Sequence, residues 1–221
     1  MGRRRGMTIQ PCFGKRYIGC AMKDGTITVG GTPGNALGAY LDGGTIVVKG
    51  NAQDAAGDTM NDGTIIIHGS AGDALGYAMR GGAIFVRGNA GYRTGIHMKE
   101  YQDKRPVIVI GGAVGSFLGE YLAGGLIVVL GIGSTDVPVG NFTGTGMHGG
   151  KIFIRTDRAL TALPAQVTGE IAGEDDLREI APCIARFAGY FGADADALTR
   201  DRFYVLKPNA KNPYTQLYTP N

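Results

Sequence analysis

The run Gly69-Ser-Ala-Gly72-Asp-Ala-Leu-Gly76-Tyr-Ala-Met79-Arg-Gly81-Gly82-Ala-Ile84-Phe-Val86-Arg-Gly88-Asn-Ala-Gly91-Tyr-Arg-Thr-Gly95-Ile-His-Met98 decides the fold, because it contains a pattern and then restates it. The last glycine of each G-x-x-G-x-x-x-G serves as a mark. Reading outward in both directions, the marks are Gly19, Gly38, Gly57, Gly76, Gly95, Gly119 and Gly144, separated by 19, 19, 19, 19, 24 and 25 residues. Three residues after each mark stands Met22, Leu41, Met60, Met79, Met98, Leu122 or Met147. Eight residues on, where nothing is inserted, come Ile27, Ile46, Ile65, Ile84, Ile127 and Ile152; ten on come Val29, Val48, Ile67, Val86, Val129 and Ile154. Ile108 and Ile110 fill those places in the fifth copy. Alternating apolar positions in short β-branched runs are strands with one buried face. The glycines between them suit sharp corners.

A unit of this size cannot bury its apolar face alone, but stacked units share a continuous core. A coil of about 19 residues at ~3.3 Å each has a perimeter of roughly 60 Å, and each coil adds ~4.8 Å along the axis. The reading is an all-β fold: a right-handed parallel β-helix of about seven coils, closed by a short C-terminal helical cap and an extended tail. A left-handed hexapeptide helix would place its apolar marks every six residues, which these offsets do not.

Three segments follow: an N-terminal arm at 1–13, the β-helix at 14–156, and a C-terminal cap and tail at 157–221. The arm holds Arg3, Arg4 and Arg5, and its Met7-Thr-Ile-Gln10 can enter the first coil as a strand. Two insertions break the period, Lys99-Glu-Tyr-Gln-Asp-Lys-Arg105 and Gly131-Ile-Gly-Ser-Thr-Asp-Val-Pro-Val139. Insertions in solenoids form outer loops, often on the working face. The second is almost uncharged, so Ile132, Val137 and Val139 are the expected partner contacts. Beyond Thr156, Leu177, Ile180, Ile184, Phe187, Ala188 and Phe191 recur at helical spacing after an acidic start at Glu174, with Pro182 expected to kink the helix or split it. That helix is placed to cover the strand edge of the last coil. Phe203–Pro208, with Tyr214 and Tyr218 beyond, reads as an extended tail docking through aromatics.

Several chemistries are disfavoured. Net charge is +3, with no basic stripe interleaved with aromatics, which argues against nucleic acid. No apolar run approaches the ~18 residues of a membrane span. Cys12, Cys20 and Cys183 form no C-x-x-C, consistent with a reducing cytoplasm. Gly144, Gly146 and Gly149 match G-x-G-x-x-G, but a strand rather than a helix follows, so no pyrophosphate site is expected. His68, His97 and His148 fall at different places in their coils and do not assemble a metal site. Asp54 and Asp73 are equivalent, three residues before their marks, and are expected to satisfy turn amides. No catalytic or metal constellation is present in the sequence.

The quoted run, together with Gly119-Glu-Tyr-Leu-Ala-Gly-Gly125, Gly144-Thr-Gly-Met-His-Gly-Gly150 and Asn212-Pro-Tyr214, resembles the C-terminal glycine-rich domain of the glutamate synthase large subunit. The resemblance covers nearly all of 14–156. It implies a right-handed parallel β-helix without catalytic residues. It also implies a stand-alone subunit, since Met1-Gly2 opens the chain where the glutaminase would need a nucleophilic cysteine, and no flavin barrel or cysteine cluster is seen. Implied partners are a glutaminase-type amidotransferase subunit and a flavin/iron–sulfur synthase subunit. FMN and the iron–sulfur cluster would sit on those subunits and no cofactor on this chain. The alternatives are the C subunit of a formylmethanofuran dehydrogenase-type complex and a free-standing acyltransferase-like β-helix enzyme. Self-association of the isolated chain is left open.

Overall fold

In the computed structural model of the chain, residues 6–161 and 163–209 are described; Arg3, Arg4, Arg5, Tyr214 and Tyr218 lie outside them. Eight strands follow the repeat: β1 (Gly6–Phe13), β2 (Thr26–Thr32), β3 (Asp42–Val48), β4 (Asp62–Ile67), β5 (Ala83–Val86), β6 (Val107–Ile110), β7 (Ala123–Val129) and β8 (Gly149–Arg155). They pair parallel in sequence order, one per turn, in a parallel β-helix of about seven turns. Register holds across the first insertion, with Ile84 opposite Ile108 and Val86 opposite Ile110. The arm therefore supplies β1 to the first coil.

The inward rows are as the spacing predicts. Leu41, Met60, Met79, Met98, Leu122 and Met147 are fully buried, as are the isoleucines from Ile46 to Ile152 and the valines and isoleucines from Val29 to Ile154. Met22 and Ile27 are only half-buried: among the described residues the single strand β1, with Met7 opposite Ile27, lies beneath this coil in place of a complete one.

The marks have a specific packing reason. A Cβ built on Gly76 would lie 2.5 Å from Cδ1 of Ile108, and one on Gly119 would lie 2.6 Å from Cδ1 of Ile152. Gly19, Gly38, Gly57 and Gly95 meet Ile46, Ile65, Ile84 and Ile127 in the same way. Each mark from Gly19 to Gly119 thus makes room for the isoleucine of the following coil. Positive φ is a separate matter. Ala74 (54°) and Ala78 (50°) flank Gly76 (66°) in the left-handed region, and so do Arg93 and His97 around Gly95. Those flanking side chains tolerate the backbone; the mark alone has no room.

Beyond β8 the chain changes direction. β9 (Val167–Ile171), helix α1 (Glu174–Phe191), helix α2 (Ala195–Arg200) and β10 (Phe203–Pro208) complete it. β10 pairs antiparallel with β8, and β9 antiparallel with β10, so the edge of β8 is covered and the sheet ends on β9. The expected extended tail is therefore β10 as far as it is described, and Phe203 is buried. The C-terminal helix lies on the flank rather than over the end. Ile180, Ile184 and Phe187 of α1 form a second core with outward-facing Phe85, Val109, Val128 and Phe153. Helix α1 is continuous through Pro182, which is exposed beside Arg178, where solvent can satisfy the carbonyl that loses its partner.

Candidate functional site

Two surfaces break the regularity of the column, and both are built by insertions. The first insertion is pinned to the flank. Lys104 pairs with Asp62 at 3.0 Å, and Arg105 bridges Glu100 at 3.1 Å and Glu179 of α1 at 2.6 Å. Glu100 also accepts the amide of Gly125. Lys104, Arg105 and Arg186 line a cavity of about 360 Å³ beside Thr64. Arg186 donates to the Thr64 and Tyr190 hydroxyls and lies 4.8 Å over the Phe85 ring. The loop tethers α1 to the column, so its charges are largely spent internally.

The second insertion borders a cavity of about 510 Å³ between the end of β8 and α2. Arg155 ties it together, donating to Asp201 and to the Leu130 carbonyl. Arg158 donates to the Thr135 carbonyl. Of the three residues expected as partner contacts, Ile132 is exposed (46 %), Val137 is half-buried, and Val139 packs against the inner core. Val139 continues the column through a bridge to Val114 and does not belong to the loop surface.

The glycine triplet resembling a dinucleotide motif is occupied by the chain itself. A Cβ on Gly146 would meet the Tyr121 ring at 2.5 Å, and one on Gly144 would meet Met147 and Val167. The histidines are apart: His68 meets the edge of Phe191, His97 stacks on Tyr121 at 5.1 Å, and Nδ1 of His148 lies 3.2 Å from the Gly146 carbonyl. Among the described residues no group of three His, Cys, Asp or Glu side chains gathers to hold a metal. Asp54 and Asp73 do satisfy turn amides, each one coil on, accepting from the Asp73 and Tyr92 amides at 3.0 and 2.8 Å. Asn51, Ser70 and Asn89 form a parallel ladder of the same kind that the sequence reading missed, although their 19-residue spacing was there to be read.

Aromatic stacking along the left-handed corners was also missed. Tyr77, His97 and Tyr121 are in ring contact, and Arg93 lies over Phe117, which stacks on Phe142 at 5.0 Å. Under α1, burial pushes the Asp176 and Glu179 carboxyls up. Lys151 donates to both, and with Lys207 at Asp176 and Arg105 at Glu179 this outweighs burial and holds both below the usual carboxylate range. These groups fasten a helix, and their shifts have that structural cause. No helix among the described residues is long and apolar enough to cross a membrane.

Comparison with known proteins agrees with the geometry. MJ1350 of Methanocaldococcus jannaschii, itself uncharacterized, is 44 % identical over 136 residues, covering 58 % of this chain. The chain spans about half the length of that relative, 52 %. A chain in the crystal structure of the formyltransferase/hydrolase complex (FhcABCD) from Methylorubrum extorquens, in complex with methylofuran, superposes with a TM-score of 0.67. The match covers 90 % of this chain and 72 % of that one at 24 % identity, which establishes a shared fold. A family model of the GXGXG motif matches residues 1–208. The chain belongs to the GXGXG motif family, the family of the glutamate synthase C-terminal domain.

Proposed function

We propose that the chain is a non-catalytic assembly subunit of a multi-subunit oxidoreductase of the glutamate synthase type. It would hold a glutaminase-type amidotransferase subunit and a flavin/iron–sulfur synthase subunit in register for amide transfer from glutamine to 2-oxoglutarate. FMN and the iron–sulfur cluster belong to the partners in this reading. The observation that carries it is the family match over residues 1–208, which takes in almost every described residue. The packing supports it: glycines that could approach a ligand are filled by isoleucines and aromatic rings of neighbouring coils. A rigid column with irregular loops on its flank suits a spacer between larger bodies.

A second reading is favoured by one finding, the shared fold with a chain of the FhcABCD formyltransferase/hydrolase complex over 90 % of the present chain. In it, the same column is the scaffold of a C1-transfer assembly. Purification of the untagged chain at native expression, with mass spectrometry of what accompanies it, separates the two. Glutaminase and flavoprotein partners, with glutamine-dependent glutamate formation by the complex, support the first reading. Formyl-transfer partners support the second. A chain that elutes alone at every salt concentration refutes both.

A further inference from the structure

The outer row immediately after the inward valines holds Lys49, His68 and Arg87 in three consecutive coils. Their amides bond to the Val29, Val48 and Ile67 carbonyls, each at 2.9 Å, so the three residues occupy one position of the coil. Adjacent parallel strands place them about 4.8 Å apart. Lys49 and Arg87 are exposed, and among the described residues no carboxylate lies in salt-bridge reach of any of the three. The mutual field is felt at the middle residue: burial, then Lys49 and Arg87, all push the His68 imidazole down.

Like charges facing each other across neighbouring strands destabilise a sheet. Like charges elsewhere are relieved: Lys104 lies against both Asp42 and Asp62, the Asp54 and Asp73 carboxylates accept amides of the next coil, and the adjoining row is the neutral Asn51, Ser70 and Asn89. The row stops being cationic where α1 crosses it. Gly111 takes the next place, and a Cβ there would stand 2.8 Å from Phe187. The ladder thus runs from the edge of α1 outward over the uncovered coils, with Phe191 of α1 against His68 by an edge contact of 5.3 Å.

We infer that Lys49, His68 and Arg87 form a docking stripe for an acidic helix of a partner subunit, one carrying carboxylates at i, i+4 and i+7. The spacing selects the occupant. Neighbouring side chains on one helix face stand about 5–6 Å apart, close to the coil step, whereas same-side residues of an extended strand are separated by roughly 6.6 Å. Nucleic acid is disfavoured because the stripe holds only two lasting cations, Lys49 and Arg87, and no ring lies flat to stack a base; Phe191 is edge-on to His68, at 87°. The inference rests on the reading of the chain as a complex subunit and adds where, and by what chemistry, a partner binds.

The test has two arms. In the complex, the variant Lys49→Glu/Arg87→Glu is expressed with the native partners, and capture is compared with the parent. The expected result is a loss of at least one partner by about tenfold or more, while the isolated variant melts no lower than the parent because a repulsion has been removed. In the second arm, an alanine-based helical peptide with glutamates at i, i+4 and i+7 is titrated into the full chain while the His68 imidazole resonances are followed. They should shift and titrate at higher pH in the parent, but not in Lys49→Gln/Arg87→Gln, nor with a glutamine version of the peptide. Undiminished capture by the charge-reversal variant overturns the inference and leaves the subunit reading standing. So does a shift produced equally by the glutamine peptide, or tighter binding of single-stranded DNA than of the acidic helix at physiological salt. If the parent captures no partner, the subunit reading falls, and the peptide arm alone decides the stripe.

Discussion

Gly76→Ala and Ala78→Gly form a matched pair that tests why the marks are glycine. Both residues have positive φ, 66° and 50°, so a purely conformational account gives alanine the same left-handed strain at either. The packing account predicts otherwise. The new methyl at position 76 would stand 2.5 Å from Cδ1 of fully buried Ile108. Left-handed strain on an L-residue costs about 1–2 kcal/mol, and forcing an extra methyl into a packed interior costs about 1–3 kcal/mol. Restricting the unfolded chain returns about 0.4–1 kcal/mol. Gly76→Ala is therefore expected to lose roughly 1–5 kcal/mol, the lower end applying if the Ile108 methyl swings aside. At about 2–4 °C per kcal/mol for a chain of this size, the melting temperature falls by roughly 2–20 °C. Ala78→Gly relieves strain and gains unfolded-state entropy, and should change stability by less than about 1 kcal/mol. Urea denaturation followed by circular dichroism measures both. Equal midpoints, or a more damaging Ala78→Gly, would refute the spatial explanation.

Met79 is fully buried in the inward Met/Leu row, so Met79→Asp should abolish cooperative unfolding or soluble expression, since a buried unpaired carboxylate costs several kcal/mol; a soluble variant melting with the parent would remove Met79 from the core. Because the Asp176 and Glu179 carboxyls are held below their unfolded values, the stability they give is complete above about pH 4–4.5 and is lost as pH falls through their folded values. Lys151→Met should flatten that acid limb, read by protease cleavage of α1 between pH 3 and 6; an unchanged acid profile would mean the cluster does not hold the helix. Ile132→Ser alone should leave the melting temperature within about 0.5 kcal/mol equivalent of the parent yet weaken partner capture, and full capture would move the contact off the second insertion.

The column was legible because its cause is local and recurs: one glycine, one Met or Leu and two branched residues per coil, in every coil. The position of α1 was harder, though a signal existed. Thr26-Ile-Thr-Val29 alternates, whereas Val107-Ile-Val-Ile110 and Leu126-Ile-Val-Val-Leu130 are unbroken apolar runs, the mark of strands covered on both faces. Read that way, the flank of β5–β8 required a cover, and the amphipathic helix was available to supply it. The loop assignment failed in part at Val139 because insertion length shows where the period breaks but not where the chain rejoins the column. The corner stacks and the Lys49–His68–Arg87 ladder depend on outward rows, whose residues vary from coil to coil and so do not announce themselves as a period.

The two ends of the column are chemically unlike. At one, β10 runs against β8 and β9 against β10, so the outermost strand β9 again points along the column strands, but it is short and mostly exposed. At the other, among the described residues, nothing pairs with the outer edge of β1, where Met7 and Phe13 are exposed. Removing β9 and β10 would replace that five-residue edge by the seven-residue edge of β8 with its buried inward row, and leave its complement, the edge of β1, at the bottom. Such a contact is head-to-tail and has no rotation to close it, so truncated chains would add one to another as a linear filament. The short β9–β10 pair thus covers the last coil and leaves the column a brief, polar edge strand, which discourages end-to-end growth.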